Sequence, residues 1–310
     1  VQECVLPDWW SDDMASVPAN RSIAELAIAR HFGFRIADLR DQSRSLVSPR
    51  CGNIRLKRSV RTTEAQVAGA VTIARRAAEL VSESVVDLPS FDAPALASAV
   101  RTAILQNVAH VDLESLLTYC WSHGIAVIHL IRTPKTSKKI AGMATFCGNR
   151  PVIVLASGRD SPPWIAFHLA HELGHIMREH VREGGDSLVD QDLDKRDEDQ
   201  QEQEADSFAC ELLTGESSPG FEAKYGLTGG KLAQAALQYG ESRRISPGTV
   251  VLIYGRSANR FPAAQKALNF LGQEIGAHEQ ITEALRRILR AGDLPETTKR
   301  FLSGCAGLTR

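Results

Sequence analysis

The chain has 310 residues, with 36 Lys and Arg against 37 Asp and Glu, and a formal net charge of -1. With 43% hydrophobic and 24% charged residues, its composition excludes a disordered, collagen-like or disulfide-framework protein. The near-neutral charge argues against a surface that binds phosphates throughout, and no apolar run approaches the ~20 residues that span a bilayer. The first residues lack the basic and apolar segments of a secretory signal, and no CxxC pair occurs. We therefore expect a cytoplasmic protein.

The charges are unevenly distributed along the chain. Residues 21–76 carry twelve Lys and Arg against four Asp and Glu, whereas residues 183–206 carry two against eleven. Either block is compatible with solvated surface. The near-zero total therefore conceals a basic N-terminal part and an acidic middle.

Apolar spacing predicts mainly helices, with three short strands near the middle of the chain. Ser161 before Pro162 is typical of a helix start, and the polar stretch 183–199 is expected to be loop. The remaining predicted helices lie at 22–40, 63–82, 95–109, 112–122, 200–213, 230–239, 262–271, 278–290 and 296–302, with a short one after Pro247. The predicted strands lie at 124–130, 140–147 and 151–156.

These elements predict an α+β fold that is mostly helical, with a small mixed sheet packed on the helix that follows Ser161. The organisation that we predict has three parts. Residues 1–90 form a helical N-terminal region, residues 91–215 the core, and residues 216–310 a helical C-terminal region.

The segment His171-Glu172-Leu173-Gly174-His175 is an HExxH motif. Residues four apart lie on one face of a helix, so His171 and His175 can bind one metal ion through their imidazoles. Glu172 then lies beside the ion, where its carboxylate can take a proton from water and pass it to a leaving amine. Zinc would lower the pKa of that water to roughly 7. A buried helix with two structural histidines is the plain alternative, but the apolar flanks and Gly174, which permits close approach of a neighbour, favour a site.

The third metal ligand has to come from another element, because Arg178 and Val181 stand where an extended HExxHxxGxxH motif needs Gly and His. On the predicted helix 200–213, Glu202 and Asp206 share the apolar face, whereas Glu204 points away from it. A carboxylate on a core-facing side needs a partner. We therefore predict Glu202 as the third ligand of one zinc ion per chain, with another divalent ion as the alternative. A fourth position is left for water, as in catalytic zinc sites.

Three further assignments are weaker hypotheses. Asp206 could accept a hydrogen bond from a ligating imidazole, or could simply pack or cap its helix. Cys147 could cap the ion as a regulatory thiolate, although a Cys there is more often a small buried hydrophobe. The hairpin 140–156 could offer an edge strand to an extended peptide, or could be ordinary sheet. His168 and His180 flank the motif and receive no role.

Residues 167–180 (FHLAHELGHIMREH), 202–213 (EQEADSFACELL) and the hairpin 141–157 resemble the ImmA/IrrE family of zinc metallopeptidases. The resemblance covers roughly residues 120–215. It implies a zincin-like core in which His171, His175 and Glu202 bind the metal and Glu172 is catalytic. Two departures from the family pattern occur: Asp206 replaces the usual Asn, and Thr214-Gly215 replaces the usual Met-Pro.

The resemblance also implies a substrate and a role. Family members cleave helix-turn-helix repressors of the Xre type, which relieves repression of stress, mobile-element, toxin-antitoxin or anti-phage genes. Some carry such a domain themselves. The spacing of Ala29, Gly33 and Leu39 predicts a degenerate or truncated Xre-like remnant, or a helix that docks a partner instead, and residues 55–66 resemble the linker. The expected partner is an Xre-family repressor, with no membrane and with direct DNA contact a weaker expectation. The alternative function is a DNA-binding transcription regulator with a latent or sensory peptidase-like domain.

Overall fold

The computed structural model describes residues 5–6, 10–41, 54–56, 64–92, 94–134, 137–185, 187–190, 200–222, 227–273, 275–289 and 294–308. It has an α+β fold, as predicted. The helices are α1 (Pro18–Phe32), α2 (Ile36–Arg40), α3 (Glu64–Ser84), α4 (Ala97–Leu105), α5 (Leu113–Ser122), α6 (Pro162–Met177), α7 (Gln200–Thr214), α8 (Gly229–Arg243), α9 (Pro247–Ser257), α10 (Phe261–Leu271), α11 (Ala277–Ile288) and α12 (Glu296–Ala306). The strands are β1 (Ile54–Leu56), β2 (Ala126–His129), β3 (Gly142–Cys147), β4 (Arg150–Leu155) and β5 (Ser187–Asp190).

The strands form one mixed sheet in the order β1-β5-β3-β4-β2. The hairpin of β3 and β4 is antiparallel and pairs Gly142 with Leu155 and Cys147 with Arg150. On its two sides β5 runs antiparallel to β3, and β2 runs parallel to β4. The prediction that the hairpin offers an edge strand is therefore wrong, because each of its strands already has a partner on both sides. The edges of the described sheet are β1 and β2.

Two strands lie where the sequence predicted none. The expected loop 183–199 contains β5, which pairs with β3 through Met143 and Val189. The predicted linker 55–66 contributes to β1, which runs parallel to β5. Strand β1 has three residues and β5 has four, which is too few to show the alternation that identifies a strand in a sequence.

Helix α6 is the central element of the core. Pro162 and Pro163 occupy its first turn, where a missing N–H costs nothing, and every residue from Pro163 to Met177 is buried. It packs on β3 and β4 and against α5, α7 and α9. A helix that is apolar on all sides is expected in such a central place. The few polar groups that it carries are therefore held in a dry environment.

The helix predicted at 22–40 is divided into two helices in the structure. Helix α1 ends at Gly33, whose left-handed φ of 72° closes the helix, and α2 begins at Ile36. Phe32 joins the main core and packs against Phe301 of α12. An Xre-like identity for this region is not established, and much of the predicted linker 55–66 lies outside the described residues. No helix within the described ranges is both long and apolar enough to cross a membrane.

A candidate metal centre between two helices

Helices α6 and α7 meet closely at the HExxH motif. A Cβ atom on Gly174 would lie 3.1 Å from the Cα atom of Ala205 and 3.2 Å from the Cβ atom of Phe208. Such contacts are tighter than most side chains allow, so the glycine permits the two helices to approach. The close approach brings the buried face of α7, which carries Glu202, against the two histidines of α6.

Three predicted ligand side chains converge at this contact. The Nε2 atoms of His171 and His175 are 3.1 Å apart, and each lies 3.4 Å from an oxygen of the Glu202 carboxylate. All three residues are buried. Within the described part of the chain, this trio is the group of His, Cys, Asp and Glu side chains that could hold a metal ion.

The spacing of these atoms suits a tetrahedral ion. Ligand atoms at roughly 2.0–2.1 Å from zinc lie about 3.3–3.4 Å from one another in a tetrahedron. The observed separations of 3.1, 3.4 and 3.4 Å are close to that value. Two imidazoles and one carboxylate also form a typical donor set of a catalytic site that keeps one position open. The residues present therefore fit a divalent metal ion.

Asp206 lies against the imidazole of His171. Its Oδ1 atom lies 2.9 Å from His171 Nδ1, and its Oδ2 atom lies 3.5 Å from Nη2 of Arg256 on α9. Burial would raise the pKa of Asp206, but the hydrogen bond from His171 and the charges of His171 and Arg256 outweigh burial and lower that pKa. The ionised carboxylate then holds a proton on Nδ1 of His171 and leaves Nε2 as the metal-binding atom.

The imidazole of His175 is supported by a different arrangement. Its Nδ1 atom lies 2.9 Å from Nδ1 of His180, and Nε2 of His180 lies 2.9 Å from Oε2 of Glu204. The hydrogen bonds from His180 and Gln200 lower the pKa of Glu204. The Glu204 carboxylate therefore contacts His180, and through His180 it is connected to His175.

Glu172 lies directly beside the candidate ligands and is completely buried. Strand β3 passes over it at Gly142, where a Cβ atom would collide with Glu172 Oε1 and lie 2.7 Å from its Cδ atom. A side chain at this strand position would displace the carboxylate. Because Gly142 has no side chain, the space next to His171 is available for the Glu172 carboxylate.

Cys147 does not join this group, which corrects the hypothesis of a thiolate cap. It lies five residues beyond Gly142 on β3, roughly 16 Å along the strand at about 3.3 Å per residue. There it lines a cavity of about 360 Å³ with Arg75 and Ser187. Because Gly142 is the part of β3 that touches Glu172, the Cys147 thiol is at the far end of the strand from the site.

Comparisons with known proteins find one similarity, and it covers the metal centre. Residues 123–219 match the family model Peptidase_M78, the IrrE N-terminal-like domain. This stretch of the chain is similar to that domain. It contains all of β2, β3, β4, β5, α6 and α7, and so the whole candidate metal centre. Neither the curated proteins nor the solved structures contain a significant match to the chain.

The match supports a metallopeptidase-type function for the chain and agrees with the resemblance in its sequence. Sequence reasoning alone left three supporting residues without a role: His180, Glu204 and Arg256. For His180 a signal existed, since it stands five residues after His175 and next to the end of α6. No local signal could have found Arg256, which approaches Asp206 from a helix 50 residues away.

Proposed function

We propose that this chain is a zinc-dependent endopeptidase that performs limited proteolysis of a helix-turn-helix repressor of the Xre type. The observation that carries the proposal is the convergence of His171, His175 and Glu202 beside the buried carboxylate of Glu172.

His171, His175 and Glu202 are the residues that would hold the metal ion. When bound, a zinc ion at this position polarises a carbonyl group and makes water more acidic. Glu172 accepts the proton of the attacking water and donates it to the nitrogen of the leaving amine. Asp206 keeps the imidazole of His171 in the tautomer that presents Nε2 to the site.

The position of the sheet limits how a substrate can bind. Strand β5 already pairs with β3 from Gly142 to Ala144, the end of β3 that lies over Glu172, so an extended peptide cannot add to β3 there. The Glu172 carboxylate is completely buried, so the substrate segment has to enter a confined site. An exposed linker between domains, rather than a rigid core strand, suits such a site because it can bend to enter.

The choice of a repressor as substrate rests on the resemblance to the ImmA/IrrE family, and relief of repression would be the outcome of cleavage. Of the divalent ions, zinc is the one that we propose, because two imidazoles and a carboxylate at tetrahedral spacing suit it better than they suit Mg²⁺ or Ca²⁺, which prefer oxygen ligands. The proposed site of action is the cytoplasm.

The direct test is incubation with purified helix-turn-helix repressors of the Xre type, followed by mass analysis of the fragments. We expect defined fragments with the metal-loaded chain and none after treatment with a chelator. Glu172→Gln should keep the metal and lose cleavage. Glu179→Gln is the matched control, because Glu179 is an exposed carboxylate near the end of the same helix. Cleavage by Glu172→Gln at the rate of the control would refute the mechanism.

The same preparation also discriminates the alternative function. Helices α1 and α2, joined at Gly33, form two short helices with a turn between them, which is the observation that favours a DNA-binding regulator. A regulator would bind duplex DNA with a steep dependence on salt concentration and leave the repressor intact. Cleavage together with salt-insensitive, weak DNA binding would exclude it.

A further inference from the structure

The histidine that follows the metal helix makes contacts on both of its ring nitrogens. Its Nδ1 atom lies 2.9 Å from Nδ1 of His175, and its Nε2 atom lies 2.9 Å from Glu204 Oε2. The side chain of His180 is 5% exposed, whereas that of Glu204 is 39% exposed. A candidate metal ligand is thus connected to the surface of α7 through a single buried imidazole.

The local backbone explains why His180 is in this place. Helix α6 ends in a Schellman motif, in which the N–H of Glu179 donates to the carbonyl of Ile176 and the N–H of His180 donates to the carbonyl of His175. Glu179 has the left-handed φ of 56° that the motif needs. A Schellman motif brings the residue after this turn against the residue five positions earlier, which here pairs His180 with His175.

The hydrogen-bond directions follow from one condition. If His175 uses Nε2 for the metal, its proton has to be on Nδ1, so Nδ1 donates to Nδ1 of His180. Nδ1 of His180 is then an acceptor, and the proton of that ring has to be on Nε2. That N–H donates to the Glu204 carboxylate, because an ionised carboxylate carries no proton and can only accept. The hydrogen bonds of His175, His180 and Glu204 are therefore all satisfied by one arrangement of protons.

We propose that His180 and Glu204 are positioning residues that fix the tautomer and ring orientation of His175. The proposal rests on the metal site of the proposed function. His171 has a carboxylate, Asp206, in direct contact with its Nδ1 atom. For His175 the same task falls to an imidazole and a carboxylate in series. Helix α7 supplies both carboxylates and Glu202, so one helix would position the entire ligand set.

Three variants of the full-length chain test the proposal. His180→Leu removes the acceptor for His175, His180→Asn restores an acceptor oxygen near the position of Nδ1, and Glu204→Gln removes only the outer charge. His110→Leu and Glu211→Gln are the matched controls, because they remove a histidine outside α6 and α7, which lies 3.8 Å from Asp112, and an acid on the same helix as Glu204. Zinc affinity is measured by competition with a chromophoric chelator. Imidazole ¹⁵N shifts of the metal-free protein report the tautomer of His175.

We expect His180→Leu to weaken zinc binding by about 10- to 100-fold, the usual effect of removing such a partner. His180→Asn should recover part of that loss, Glu204→Gln should show a smaller loss, and both controls should match the wild type. The ¹⁵N spectrum should show the Nδ1-protonated tautomer of His175 in the wild type and a mixture in His180→Leu.

A merely structural His180 would lower the melting temperature and leave both the tautomer and the zinc affinity unchanged, and that result would overturn the proposal. If His180→Leu fails to fold, the comparison of His180→Asn and Glu204→Gln with the controls decides in the same way. The two proposals fail separately. If the wild type binds zinc but cleaves no repressor, only the proposed function is refuted. If the variants bind zinc with wild-type affinity, only the positioning role of His180 and Glu204 is refuted.

Discussion

The glycine of β3 above Glu172 provides the sharpest test of the site. In Gly142→Ala the new Cβ atom would lie 2.7 Å from Cδ and 3.1 Å from Cγ of Glu172. Carbon atoms prefer separations of about 3.5–4.0 Å, so the carboxylate has to move by roughly 1 Å. A displacement of about 1 Å at a reacting group can lower the rate by about 10²-fold. Overpacking a buried site typically lowers the free energy of unfolding by about 1–3 kcal/mol.

We therefore expect Gly142→Ala to lose about two orders of magnitude in cleavage rate and to bind zinc with unchanged affinity. The assay is the rate of fragment formation, with zinc binding and thermal unfolding measured on the same preparation. Gly158→Ala is the control, since a Cβ atom there meets only the Nζ atom of Lys139, at 3.6 Å. Full cleavage activity and unchanged stability of Gly142→Ala would refute the close approach of β3 to Glu172.

Three further predictions concern the surroundings of the site. Gly174→Val should separate α6 from α7, because even one Cβ atom would lie 3.1 Å from the Cα atom of Ala205, and both zinc affinity and the melting temperature should fall. Arg256→Met should raise the pKa of Asp206 by removing a positive charge, which NMR titration of the carboxyl would show, whereas Arg256→Lys should keep the pKa low. Burial, with a smaller effect of a neighbouring histidine charge, lowers the pKa of His129 to about 4. Between the unfolded value of about 6.5 and about pH 4 the unfolded chain binds a proton that the folded chain does not, so stability should fall as the pH falls, by up to about 1.4 kcal/mol per unit. In denaturant unfolding, His129→Gln should flatten this dependence, and an equally steep fall would contradict the assignment.

Much of the site could be predicted because its geometry is local. The four-residue spacing of His171 and His175 places both imidazoles on one face of any helix that contains them. The same argument, applied to the helix predicted at 200–213, separated Glu202 and Asp206 from Glu204. The structure places the first two carboxylates against the imidazoles, and it also adds a contact from Glu204 to His180 that the helix face alone did not indicate.

What the sequence did not indicate depends on contacts between distant segments. The pairing of β5 with β3 makes the hairpin an interior part of the sheet, yet β5 consists of four residues within an acidic stretch that has no strand periodicity. The order of strands in a sheet depends on which segments meet in three dimensions. The residue pattern of one strand does not indicate which strands will pair with it.

Most helices, the HExxH motif and the face of α7 that meets it follow from the sequence alone, because periodicity and spacing act within a few turns of one helix. The groups that support the ligands follow only from the packing of distant segments. Arg256 reaches Asp206 from α9, and His180 reaches Glu204 across the end of α6. Such contacts depend on how helices dock, and docking is set by the packing of the entire core.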